Sequence, residues 1–74
     1  MQDFQLQGEF IELNVLLKLL ALAPSGGGAT ALIAAGEVRV DGLVETRIRR
    51  KLRPGQTVSV ANDEIRIVAA AAAG

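Results

Sequence analysis

Residues 25–42 read SGGGATALIAAGEVRVDG, and inside this stretch the pattern of the chain changes from helical to alternating. Gly26, Gly27 and Gly28 would each cost about 1 kcal/mol against alanine in a helix interior, so three in a row belong at a boundary. Ser25 before them is a natural N-cap and the apolar run ATALIAA follows, which reads as the start of a short helix. A flexible turn between two helices is the competing reading. Gly36 is a natural helix stop. From Glu37 the period becomes two, with Val38 and Val40 inward and Arg39 outward, and Asp41-Gly42 signals a tight hairpin turn.

Toward the N-terminus, EFIELNVLLKLLALA (residues 9–23) is the strongest helix signal. Ile11, Val15, Leu16, Leu19, Leu20 and Leu22 recur at helical spacing, Asn14 and Lys18 share a polar stripe, and Pro24 ends the helix. DFQLQG before it alternates Phe4 and Leu6 against polar neighbours and predicts a short strand. Toward the C-terminus, LVETRIRRKL continues as extended chain or loop, and RPGQTVSV supplies a Pro-Gly turn and a strand. ANDEIRIVA turns at Asn62-Asp63 and places Ile65 and Ile67 on one face. The alanine-rich residues 69–74 carry no pattern and are expected to fray. The sum is an α+β fold in a single domain over residues 1–68: a short N-terminal strand, two packed helices, then a small, mostly antiparallel sheet.

The inventory narrows the chemistry. The chain has no cysteine and no histidine, which removes the thiolate nucleophile, the commonest general base and the commonest metal ligand. A conventional enzyme site, a metal and a cofactor are therefore not expected. Phe4 and Phe10 are the only aromatics, too few for a platform that stacks successive bases of a single strand. The apolar run from Phe10 to Ala23 holds Glu12, Asn14 and Lys18 and falls short of the roughly 20 residues of a membrane span. Acids rather than cations precede it, unlike a secretory signal. A soluble, cytoplasmic monomer with no membrane partner is the expectation.

Net charge is zero, yet Arg47, Arg49, Arg50, Lys51 and Arg53 form a run without an acid, while the first third of the chain is acidic. On an extended strand Val44, Thr46, Ile48 and Leu52 would face one way and Arg47, Arg49, Lys51 and Arg53 the other, with Arg50 out of phase at a bulge or loop. Such a ladder, rich in guanidinium forks, suits phosphate; the bland alternative is an edge strand protected by charge. Three to five phosphate contacts would give a log K versus log salt slope of roughly −2 to −4. The start of the second helix, at Ser25, Gly26 and Gly27, offers a further anion site, although the Lys-Ser/Thr pair of a nucleotide-binding loop is missing. Glu9 and Glu12 are expected to orient the domain by repelling a phosphate-bearing partner from the wrong side.

IELNVLLKLL, SGGGATALIAAGEVRVDG, VETR and RKLRPGQTVSV, in this order and spacing, resemble the αL-type RNA-binding domain of ribosomal small-subunit protein four, and most closely the small stand-alone bacterial members of that superfamily. The similarity covers about residues 10–60. It implies docking on structured RNA, ribosomal or transfer RNA or ribosomal particles, through the start of the second helix and the following hairpin loops. Carried onto this chain, the implied contacts are Lys18, Ser25, Gly26, Gly27, Thr30, Arg39, Arg47, Arg49, Arg50, Lys51 and Arg53. The first helix begins with Glu9, Phe10 and Ile11 where the superfamily tends to be basic. Gly28 and Thr30 stand where the stand-alone variant often has an acid and a lysine. Both departures shift the expected contact toward Arg47–Arg53. Two other readings are a ubiquitin-like sulfur carrier using Gly74, although Ala73 breaks the required Gly-Gly pair, and a protein-interaction domain whose basic face meets an acidic partner.

Overall fold

The computed structural model describes residues 1–22 and 26–70. Strand β1 (Gln2–Gln5) is followed by a two-residue strand β2 (Ile11–Glu12) that runs directly into helix α1 (Leu13–Leu19). Helix α2 (Gly26–Ala34) leads to β3 (Val38–Val40), β4 (Leu43–Val44), β5 (Lys51–Leu52), β6 (Thr57–Val60) and β7 (Asp63–Val68). The main sheet has the order β1-β7-β6-β3-β4, with every pairing antiparallel except β1 on β7. A separate two-stranded ladder joins β2 to β5. The α+β class and the mostly antiparallel sheet are as expected from the sequence. Ser25 and Pro24 lie outside the described residues, as do residues 71–74 of the expected frayed tail.

The sheet alternates as a half-wet sheet must. Val38 and Val40 of β3, Val58 and Val60 of β6, and Ile65 and Ile67 of β7 are buried together with Leu13, Leu16 and Leu17 of α1 and Ala29 and Ile33 of α2. The helices thus cover one face, and Arg39 and Arg66 stand exposed on the other. Asp41 (φ 53°) and Gly42 (φ 83°) both take positive φ, as the tight turn joining β3 to β4 requires. Asp41 also accepts the Thr57 backbone N–H at 2.9 Å, tying that turn to β6. The β6–β7 turn falls at Ala61-Asn62, since Val60 pairs with Asp63, one residue earlier than expected.

Helix α1 departs from its expected form. Ile11 and Glu12 fit the helical period, but they are taken into the ladder opposite Leu52 and Lys51. The buried face is Leu13, Leu16 and Leu17, while Leu19 is exposed. α1 also stops before Pro24. The Leu22 N–H donates to the Leu17 carbonyl and the Ala21 N–H to the Lys18 carbonyl, the paired bonds of a Schellman ending. Ala21 is its left-handed residue, with φ 57°. α2 ends the same way at Gly36, φ 78°, where glycine, having no Cβ, takes the left-handed region without strain. Ala21→Gly is therefore expected to raise stability by about 0.5–1 kcal/mol, the relief of the left-handed strain less the added freedom of the unfolded chain. An unchanged urea midpoint would contradict it. Among the described residues no helix is long and apolar enough to cross a membrane.

Candidate nucleic-acid interface

The basic run is not a strand ladder. After β4 the chain leaves the sheet, turns between Arg47 and Arg50, and re-enters a ladder only at Lys51. Residues 45–50 therefore form a loop, consistent with the bulge or loop expected near Arg50. It is fastened to the start of α1. The Leu13 N–H donates to the Arg50 carbonyl at 2.8 Å and the Asn14 N–H to the Ile48 carbonyl at 3.1 Å. Helix-terminal N–H groups that have no partner inside the helix are thus satisfied by the loop's own backbone. Ile48 packs against the core from one side and Leu52 is fully buried in it. Val44 and Thr46, expected on the inner face, are both exposed, Val44 on the edge strand β4 and Thr46 in the loop beyond it.

Glu45 organises the loop from beneath. Its residue is 8% exposed, and both carboxylate oxygens are engaged. Arg47 donates Nε and one terminal nitrogen in a parallel fork at 3.0 Å each, and its backbone N–H adds a third bond at 3.0 Å. Arg50 donates to the same carboxylate at 3.0 Å. The hydrogen bonds from the Arg47 side chain are the chief reason the Glu45 carboxyl is lowered to about 2; burial pushes it up, and the Arg47 N–H and the charges of Arg47 and Arg50 push it further down. The Arg47 guanidinium is raised in turn by the same bonds. Arg49 is held by Glu12 at 3.1 Å across the β2–β5 ladder. Glu12 therefore belongs to the basic loop, which removes it from any role in repelling RNA at the opposite side.

Four of the expected residues come together: Arg47, Arg49, Arg50 and Lys51 line an open depression of about 490 Å³. Arg53 lies beside it, over the ring of Phe10. The remaining ones do not join them. Arg39 stands on the open face of the sheet and donates to the Gly42 carbonyl at 3.3 Å, closing its own hairpin. Lys18 is exposed in the last turn of α1, where a cation complements the helix dipole. Gly26 and Gly27 open α2 with Thr30 exposed one turn on, and Ser25 falls outside the described residues. Glu45, Glu12 and Phe10 are the members of the site that sequence reasoning missed. The position of Glu45 two residues before the run was its one visible signal.

The sequence and the fold have counterparts among known proteins. Residues 4–68 match the family model for the S4 domain. "Putative RNA-binding protein YbcJ" of Escherichia coli (strain K12) is 51% identical over 59 residues, which is 80% of this chain and 84% of that protein. YbcJ of Shigella flexneri is similar to the same degree over the same span. The chain also resembles the solution structure of YbcJ from E. coli, described as revealing an αL motif involved in RNA binding, with a TM-score of 0.70 and 46% identity over 92% of this chain and 87% of that one. Both helices, the sheet from Phe4 to Val68 and the loop fastened to α1 all fall within the matched residues, and the chain thus belongs to the S4 domain family.

Proposed function

We propose that this chain is a non-catalytic RNA-binding module that docks on structured RNA, its Arg47–Arg53 loop against the phosphates. The observation that carries the reading is the depression lined by Arg47, Arg49, Arg50 and Lys51, a concave surface whose three arginines are held in place by carboxylates before any ligand arrives. Guanidinium forks match phosphate geometry, and phosphate contacts fix position without reading sequence, so RNA shape decides the target. Family membership and the name of the E. coli relative support the same reading, and they lend no support to the sulfur carrier. Ribosomal or transfer RNA is the proposed target class, and a monomer in a bacterial cytoplasm the proposed context. The start of α2 adds no observation to this reading; the loop carries it.

The ion pairs refine the expected salt dependence. Five cations lie between Arg47 and Arg53, but Glu45 and Glu12 cancel two charges, leaving three for phosphate. Binding to a labelled structured RNA is expected to show a log K versus log salt slope of about −2 to −3, the lower part of the range that the bare sequence suggests. An Arg47/Arg49/Lys51/Arg53→Ala variant, shown to be folded by circular dichroism, should bind at least about tenfold more weakly with a flatter slope. Equal binding by the two chains, or none by the native one, would favour an acidic protein partner instead.

A further inference from the structure

Phe10 stands at the edge of the basic loop with 39% of the residue exposed to solvent, while Phe4 packs against the core. Continuing the β2–β5 register outward from the Ile11–Leu52 pair brings Phe10 opposite Arg53. The Lys51 Nζ lies 4.8 Å from the ring centroid and the Arg53 guanidinium carbon 5.9 Å from it, both within the range of cation–π attraction. These two cations differ from the rest of the run. Arg47, Arg49 and Arg50 are tied to carboxylates, whereas among the described residues Lys51 and Arg53 have no ion pair and rest on the ring. Lys51 also lines the depression, so the ring and the phosphate-facing surface are contiguous.

We infer that Phe10, flanked by Lys51 and Arg53, is a stacking subsite for one unpaired RNA nucleobase, an assignment that rests on the RNA-binding reading above. A cation on an exposed ring is weakly held, and a phosphate offers it a charge-assisted hydrogen bond. An arriving nucleotide draws Lys51 and Arg53 toward its phosphate and uncovers the ring for its own base. Bases inside a duplex are stacked on one another and cannot reach such a ring; only a loop, bulge or end presents one. The scarcity of aromatics excludes a continuous single-strand platform, but a lone ring beside a phosphate-facing loop suits a stem with one splayed base. The module therefore discriminates junctions between paired and unpaired RNA from uniform duplex.

Two RNA probes test this: a hairpin with 2-aminopurine in its single-stranded loop, and a blunt duplex of the same stem. Native chain, Phe10→Leu and Phe10→Trp are compared, each checked for an unchanged thermal unfolding midpoint. Phe10→Leu is expected to bind the hairpin about tenfold more weakly, to lose the quenching of 2-aminopurine, and to bind the duplex as the native chain does. Phe10→Trp should restore both affinity and quenching. If Phe10→Leu binds the hairpin as tightly as the native chain, or weakens hairpin and duplex alike, the stacking subsite is overturned while RNA binding stands. If the native chain binds neither probe, the RNA-binding reading itself fails.

Discussion

Leu52→Ala is expected to lower folding stability by about 2–5 kcal/mol, a large share of the roughly 4–11 kcal/mol available to a chain of this length. Leu52 is fully buried and sits in the cluster that joins both helices to the sheet. Its strand β5 is only two residues long and is paired with β2, which leads straight into α1. A cavity there weakens the core that supports the end of the basic loop. The chain neighbours Lys51 and Arg53 point to solvent, so the variant keeps every cation and tests the scaffold alone. Urea denaturation at 25 °C should show a lower midpoint with an unchanged slope, and RNA affinity should fall only as the folded fraction falls. A loss below about 1 kcal/mol would mean that the site collapses around the smaller side chain and that Leu52 is not a keystone.

The Glu45 clamp predicts a pH dependence with a definite sign. Its carboxyl is depressed to about 2 in the folded protein, so its contribution is complete above the usual carboxylate range and is lost as pH falls toward 2. The full shift would correspond to about 3 kcal/mol, but the Arg47 side chain is 70% exposed and solvent screens the pair, which leaves about 1–2 kcal/mol. Glu45→Gln should therefore be less stable than the native chain by that amount at pH 7. The gap should narrow below about pH 4.5 and close near pH 2. Urea midpoints for both chains across this range provide the measurement. A gap that stays constant with pH would assign the role of Glu45 to shape rather than charge.

Much of the frame was legible because it is locally encoded. The Asp41-Gly42 turn, the alternation of Val38 and Val40, and the Gly36 stop each declare themselves within a few residues. What was hidden depends on partners far along the chain. Ile11 and Glu12 fit a helix and become strand only because Leu52 and Lys51 arrive opposite them. Alanine is the best helix former, so nothing local marks Ala21 as a left-handed terminator. The candidate site divides in the same way. Its cations could be counted in the sequence, but their pairing could not: burial of Glu45 follows from the loop folding back on α1, and the approach of Phe10 to Lys51 and Arg53 from a ladder of two residue pairs.

The pairing of β1 with β7 has a bearing on how the chain is made. Gln2 meets Ile65 and Gln5 meets Val68, so β1 waits for a strand translated some sixty residues after it. The helices and the β3–β4 hairpin involve only nearby partners and can form while synthesis continues; the closure that joins β1 to β7 carries the largest loop entropy and comes last. On the ribosome, β1 must remain an unpaired strand until β7 emerges. Its sequence, QDFQ, carries a single apolar residue among polar ones, a composition that lets it wait in water without seeking the wrong strand.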